Sequence, residues 1–292
     1  MLSLIGTELV KQVRRARTWV ALGFVVFVPV LMTVILKLNP PSPGPGGGQF
    51  RPFFLGSLQT GLLVPATSLF LMSRIFIVIV MALFVGDAVA SEAAWGNLRF
   101  MLVRPITRGR LLAAKLVSAV LFASAAVLLV ALAGLVVGVI SFGWHPLDLA
   151  RGGGFGGGPP PGFGAFRGVT QQLTQSEGVL LWHTLLAVVL IAWGLAAVLA
   201  FGFMLSTMTD SPVGASFGAV GFFIVMGILD SIDSLGSIRH ALPVDYYDAW
   251  TDLFMRNKWT ADMTRSALLQ VPYVIVFLGV AWWWFHRKDI TS

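Results

Sequence analysis

Six long stretches of the chain carry almost no charge, and the polar residues gather in the connections between them. The apolar stretches run from about Thr18 to Leu36, Thr67 to Val89, Leu112 to Phe142, Leu180 to Ser206, Pro212 to Leu229 and Ala267 to Phe285. A helix needs about 20 mostly apolar residues to cross hydrocarbon. Lipid offers no partner to a free backbone N–H or C=O, so each stretch is expected to be helical. The runs lack the period-two alternation of barrel strands. The pattern predicts an all-α membrane protein, residues 1–292 forming a single transmembrane domain of six spans.

The connections differ in character. Residues 39–48 read NPPSPGPGGG and residues 152–164 read GGGFGGGPPPGFG, compositions that hold neither helix nor sheet and fit flexible external linkers. Residues 143–179 are accordingly expected as a flexible external loop. The stretch Arg51 to Leu63 has the composition of a short interfacial helix. Thr207 to Ser211 is a tight joint, and Pro212 suits the first turn of the helix after it.

Composition strengthens the membrane reading. Hydrophobic residues are 57% of the chain and charged residues 11%, far from the quarter or so charged in soluble domains. The net charge of +7 does not point to nucleic acid, because Arg and Lys lie at the ends of apolar runs, where they set topology. Lys11, Arg14, Arg15 and Arg17 precede span one. Arg99, Arg104, Arg108, Arg110 and Lys115 lie around the connection between spans two and three, and Arg287 and Lys288 follow span six. With six spans all three groups share one side, which predicts cytoplasmic termini in the inner (plasma) membrane. The absence of cysteine excludes disulfides and thiol chemistry. No small-residue cleavage pattern follows the first apolar run, so a cleaved leader is not expected.

Residues 1–17 place Leu2, Ile5, Leu9 and Val13 on one helical face, with Glu8, Lys11, Arg14 and Arg15 elsewhere. Two compatible readings follow. One is an amphipathic interfacial helix with its basic residues toward phosphates and cytosol; the other is an ordinary positive flank of span one. The segment 90–111 is longer than a turn requires. Ser91 is placed to cap a short helix bearing Glu92, Trp95, Leu98, Arg99 and Leu102, which Pro105 breaks before Thr107 caps span three. Trp95, Phe100 and Met101 beside the charges suit docking onto a soluble partner.

Glu92, then Gly96-Asn97-Leu98-Arg99, then Arg104-Pro105-Ile106-Thr107-Arg108 and Ala114-Lys115 resemble the pattern after span two in permeases of type-2 ABC exporters, with Asn97 in place of the more usual Thr. Gly202 to Thr207 with Ser211-Pro212 is similar to that family's joint between spans four and five. The resemblance implies a cytosolic coupling helix in segment 90–111, with Glu92, Trp95, Arg99, Arg104, Pro105 and Arg108 as its contacts to the ATPase. The implied partners are two copies of a separate ATP-binding subunit, a second permease subunit, identical or homologous, and membrane lipids. ATP and Mg would reside on the ATPase. The chain has no Gly-Lys dipeptide and hence no phosphate loop of its own. It is therefore expected to bind no cofactor and to contain no catalytic residues. The resemblance also implies that residues 230–266 form re-entrant helices capping the pathway.

Remaining features divide between function and packing. Arg74 is a charge inside a span, which is costly. It either lines a pathway for an anionic group or is tied to headgroups or a neighbouring helix. Asp87 is expected as a structural or coupling partner. The pairs Gly134/Gly138 and Gly214/Gly218 permit close helix packing, the second pair being a candidate for contact between permease halves. Tyr246, Tyr247, Trp250 and Trp259 are expected as anchors at a membrane boundary, and Trp282, Trp283 and Trp284 as an interfacial belt. His145, His183, His240 and His286 are scattered, and the acidic residues fit no metal-ligand spacing. The implied function is export of a hydrophobic or amphipathic compound such as a drug, antibiotic, lipid or glycolipid. A secondary carrier and a membrane-embedded lipid-modifying enzyme are the competing classes.

Overall fold

A computed structural model describes residues 2–40, 51–94, 107–147 and 175–287. Trp95, Arg99, Arg104 and Pro105 lie outside the described residues, as does most of both Gly/Pro-rich runs. Among the described residues all regular elements are helical. Six helices are long and apolar enough to cross a membrane: Ala16–Leu38, Phe76–Ala94, Arg108–Phe142, Glu177–Gly194, Pro212–Asp230 and Ala261–Arg287. In chain order they are spans one to six. Their outer faces make sense only in lipid: Val20, Ile140 and Phe217 are 74%, 78% and 73% exposed, and such apolar surface in water promotes association.

Span two is the hub of the bundle. The share of its apolar window buried within the chain is 78%, against 17% for spans five and six. Small residues let its neighbours approach. A Cβ on Gly86 would lie 2.6 Å from the backbone N of Ser216, so span five rests directly on span two. A Cβ on Gly138 would lie 2.4 Å from the carbonyl oxygen of Gly61, and one on Gly134 would lie 2.9 Å from Cα of Pro65. The Gly134/Gly138 pair is therefore a packing face inside this chain. In span five, Gly218 packs under the Leu205 side chain, whereas Gly214 meets only its own cap, Ser211. Ser211 accepts the Gly214 N–H at 3.1 Å and Pro212 opens the helix as its fixed φ favours.

Two expected spans are interrupted. The run Thr67 to Val89 divides into Val64–Ser73 and Phe76–Ala94 at Arg74 and Ile75. The run Leu180 to Ser206 divides at Leu195 into Glu177–Gly194 and Ala196–Met208. Arg74 keeps near-helical angles (φ −79, ψ −25) and so does Leu195 (φ −97, ψ 7), so the axis is disturbed without reversing. Both pieces of span two pack along the 35-residue span three, about 50 Å long at 1.5 Å per residue. Ser91 caps no separate helix: it lies inside Phe76–Ala94, and its Oγ donates to the Asp87 carbonyl one turn back at 2.7 Å. Apolar residues continue the helix past the expected cap, and the hydroxyl is satisfied within it. Span six starts at Ala261, six residues before its apolar run, because Asp262, Thr264 and Arg265 form its polar first turns.

The end of the bundle carrying residues 2–17, 87–94, 107–115 and 282–287 is the basic end. At the opposite end, Arg51–Gln59 is helical as expected, yet it tucks inward: Phe53 and Ser57 are buried. The Ser57 and Thr67 hydroxyls are 2.6 Å apart. Leu147 and Gln175 exchange backbone hydrogen bonds of 3.1 Å each, joining the two sides of the long connection between spans three and four. Between spans five and six lie short helices at Asp233–Ala241, Tyr247–Thr251 and Asp252–Met255. Tyr247 and Trp250 are not boundary anchors but core residues. The Trp250 ring packs against Phe53, Phe70 and Phe254 at 6.2 to 6.3 Å between centroids. Trp259 and Trp282 to Trp284 remain exposed, as a boundary belt requires.

Candidate functional site

The densest chemistry among the described residues lies at the basic end, around the foot of the connection between spans two and three. Span two delivers Asp87 and Glu92 there, five residues apart, and span three delivers Lys115 from its second turn. Helix Leu2–Val13 adds Glu8 and Lys11, three apart and therefore on one face. The joint before span one adds Arg15 and Arg17.

Lys115 is the centre. Its side chain is 1% exposed, and its ammonium lies 2.5 Å from Glu92 Oε2 and 3.3 Å from Glu8 Oε2. The same ammonium donates to the Ala88 carbonyl at 3.2 Å. Lys11 closes the ring, 2.9 Å from Glu8 Oε1 and 3.2 Å from Glu92 Oε1. Two carboxylates thus share two ammonium groups, so no ion is buried unpaired, the condition under which buried charge is tolerated. Asp87, 2% exposed, receives the guanidinium groups of Arg15 and Arg17 on one oxygen. Its other oxygen is buried with no hydrogen-bond partner among the described residues.

Burial alone would push the Glu8 carboxyl up, but the Lys115 charge and hydrogen bonds from Lys11 and Lys115 outweigh it and hold it below its ordinary value. Burial likewise acts to lower the Lys11 amine, and the hydrogen bond to Glu8 and the Glu92 charge raise it instead. Both effects favour the charged forms. For the Arg15 guanidinium burial dominates and lowers its value despite Glu92 and Glu8.

Helix Ala196–Met208 pins this region from the other side. Ser206 Oγ accepts the N–H groups of Val89 and Ala90, each at 3.0 Å, and donates to the Gly86 carbonyl at 2.7 Å. A side chain from another helix thereby satisfies backbone groups in the turn that carries Asp87, a common cause of local helix distortion.

Of the residues expected to meet an ATPase, Glu92 is held within the chain by Lys115 and Lys11. Arg108 opens span three and donates to the His286 carbonyl at 3.1 Å. Trp95, Arg99, Arg104 and Pro105 belong to the connection outside the described residues. Helix Leu2–Val13 turns Glu8 and Gln12 toward the bundle and leaves Val10 and Val13 52% and 45% exposed. The buried Lys115 accounts for the inward Glu8, because an ammonium at that depth needs carboxylates beside it. Arg74 stands apart at the opposite end, 56% exposed and paired with Asp248. Gly214 and Gly218 supply no group to the network, although Ser216 between them rests on Gly86, the neighbour of Asp87.

Sequence reasoning singled out the charged residues but not their assembly. Charges at Asp87 and Lys115, within otherwise apolar helices, were the available signal that partners must exist. Ser206 and Gly86 had no such signal, since serine and glycine are ordinary in membrane helices. Among the described residues no group of three or more His, Asp or Glu is placed to hold a metal ion.

No curated protein matches the chain. A family model described as a protein of unknown function (DUF2705) matches residues 49–291, most of the chain and all of spans two to six. Asp87, Glu92 and Lys115 lie within the matched residues and Glu8, Lys11, Arg15 and Arg17 before them, and the chain belongs to the DUF2705 family.

Proposed function

We propose that the chain is the transmembrane permease subunit of an ATP-driven exporter of the type-2 ABC kind. In this reading it works as a dimer coupled to two separate ATP-binding subunits. The observation that supports it best is the clamp formed by Glu92, Lys115, Glu8 and Lys11. It ties the two helices flanking the connection 95–106 to each other and to the N-terminal helix. A connection that takes force from a motor needs such a base, because flexible flanks would absorb the displacement. The motif Arg104-Pro105-Ile106-Thr107-Arg108 runs from the end of that connection into the first residue of span three.

In this reading the basic end faces the cytoplasm of a cell whose inner (plasma) membrane holds the protein, and both termini are cytoplasmic. Helix Leu2–Val13 lies along the cytosolic face, with Val10 and Val13 toward lipid and Glu8 toward Lys115. Trp95, Arg99, Arg104, Pro105 and Arg108 form the docking face for the ATPase, and Glu92 positions it from beneath. The short helices between Asp233 and Met255 cap the outer end of the pathway. Gly214 and Gly218 lie toward the second permease subunit, and the cargo is a hydrophobic or amphipathic compound.

The test is co-expression with the partner ATPase, followed by co-purification and ATPase assay in lipid. Arg99→Glu, Arg104→Glu and Arg108→Glu are expected to abolish stimulated ATPase activity while the protein still inserts. Unchanged transport in all three variants overturns the reading. Transport that needs no ATPase and collapses with the proton gradient would instead establish a secondary carrier.

A further inference from the structure

Two cavities lie along the facing sides of spans three and six, the upper one closed mainly by the helices Glu177–Gly194 and Ala196–Met208. One, of about 470 Å³, sits at the basic end and is lined by Thr107, Arg108, Gly109, Arg110, Trp282 and His286. The other, of about 370 Å³, is apolar and is lined in part by Leu116, Val120, Val274 and Leu278. On span three, Gly109, Ala113, Leu116, Val120 and Ser124 recur every three or four residues, and on span six His286, Trp282, Leu278 and Val274 recur every four. Each series is one face of one helix. The two cavities share no lining residue but lie in line along the same faces of the same two helices, the lower one charged and the upper one apolar.

We propose that the two cavities act as one groove that binds one anionic phospholipid, its phosphate at Arg110 and an acyl chain along Leu116, Val120, Val274 and Leu278. Three observations select that occupant. The first is depth. Arg110 and Val120 are ten residues apart, about 15 Å along a helix, which is half of a hydrocarbon core of about 30 Å. With the apolar cavity at mid-membrane, the arginines stand at the level of lipid phosphates. The second is charge: among the described residues that line the foot, two are arginines and none is acidic. Basic pockets between membrane helices recognise anionic headgroups in this way.

The third is the construction of the foot. Gly109 lacks a Cβ, and one built there would fall 2.2 Å from the end of the Trp282 ring. The glycine thus lets the indole lie against span three, with the His286 ring 4.8 Å from it. An indole at this level suits the boundary between headgroup and chain. Higher up, Trp193 donates its N–H to the Ala267 carbonyl at 2.9 Å, so only its ring carbons are offered to the cleft. Span four is interrupted at Leu195, beside the lining residues Ala196 and Leu199. A soluble anion would use only the foot of this groove and a neutral lipid only the cleft. The inference does not depend on coupling to an ATPase.

The test uses the full chain, delipidated in neutral detergent, with native mass spectrometry of retained lipid. Phosphatidylglycerol is expected to be retained about tenfold or more over phosphatidylcholine of the same chains. Arg110→Glu is expected to erase that preference, and Val120→Trp, which fills the cleft, to lower retention of long-chain phosphatidylglycerol. If either variant fails to fold, the wild-type protein decides alone. Loss of binding when the chains are shortened supports the groove. Equal retention of the two headgroups, equal retention of short and long chains, or displacement of the lipid by inorganic phosphate overturns it.

Discussion

The two ends of the bundle solve the same problem, charge at the edge of a membrane, by opposite means. At the basic end, four cations and three carboxylates are drawn together, and Lys115, Asp87 and Glu92 are almost fully buried. At the other end, the Arg74 and Asp248 side chains pair while 56% and 28% exposed, and burial is reserved for aromatic rings around Trp250. The first arrangement is specific and brittle, because each ion relies on its partners. The second separates tasks: apolar packing supplies cohesion and a solvated pair adds little. The difference implies that force applied at the basic end is transmitted through ionic contacts, and at the other end through packed rings.

The largest effect is expected from Lys115→Met. Removing the ammonium leaves Glu8 and Glu92 buried with only Lys11 between them, and breaking such a buried pair costs about 3–5 kcal/mol. The thermal unfolding midpoint in detergent should fall clearly. The combined change Glu8→Gln, Glu92→Gln and Lys115→Met should recover much of the loss, since a neutral, well-packed replacement removes the stranded charge. A single variant as stable as the parent would mean that the network is not a clamp. Trp250→Ala is the counterpart at the other end. Truncating a buried aromatic costs about 3–5 kcal/mol, and here no second substitution in the charged network should rescue it. Rescue across the molecule would show that the two ends are not independent.

Acid separates the ends further. The folded state holds the Glu8 carboxyl below its ordinary value of 4.5. Its contribution to stability is therefore present above that pH and is lost as pH falls through the lowered folded value. Lys11 works in the other direction. Its amine is raised above 10.5, so its contribution is complete below that pH and fades as pH rises past it. The clamp is thus intact across neutral pH and loosens below about pH 4.5. Protease access to Arg14 and Arg15 at low pH should rise in the parent and be high at all pH values in Glu8→Gln. An unchanged cleavage profile in the parent would detach Glu8 from the clamp.

The same contrast explains what could be seen in the sequence. The spans were visible because lipid imposes one rule, apolar for about 20 residues, and the six long helices follow it. Interruptions at Arg74 and Leu195 were not visible, since no proline or glycine marks the break itself. The inward face of Leu2–Val13 was hidden for a different reason. An amphipathic pattern says which residues share a face, while the choice of face toward the protein was made by Lys115, about a hundred residues away. Tyr247 and Trp250 were misplaced because aromatic residues serve equally as boundary anchors and as core. Only the packing of Phe53, Phe70 and Phe254 around Trp250 distinguishes the two.

The smallest effect is expected at Arg74. A pair this exposed contributes about 0–1 kcal/mol or less after screening, so Arg74→Ala should leave the unfolding midpoint nearly unchanged. The charge is nevertheless placed at the one interruption in the hub helix, beside the segment that carries Asp248. Removing it while keeping the fold isolates any role in recognition. If Arg74 favours an anionic group on a cargo, Arg74→Ala should reduce export of anionic compounds and spare cationic ones, and Asp248→Asn, which leaves the arginine without its carboxylate, should do the reverse. Equal effects of the two substitutions on both kinds of cargo would assign the pair to holding Tyr247–Thr251 against span two. In that case an arginine within an apolar run is no more than the outer counterpart of Lys115, tied to a carboxylate where the hub helix meets the surface.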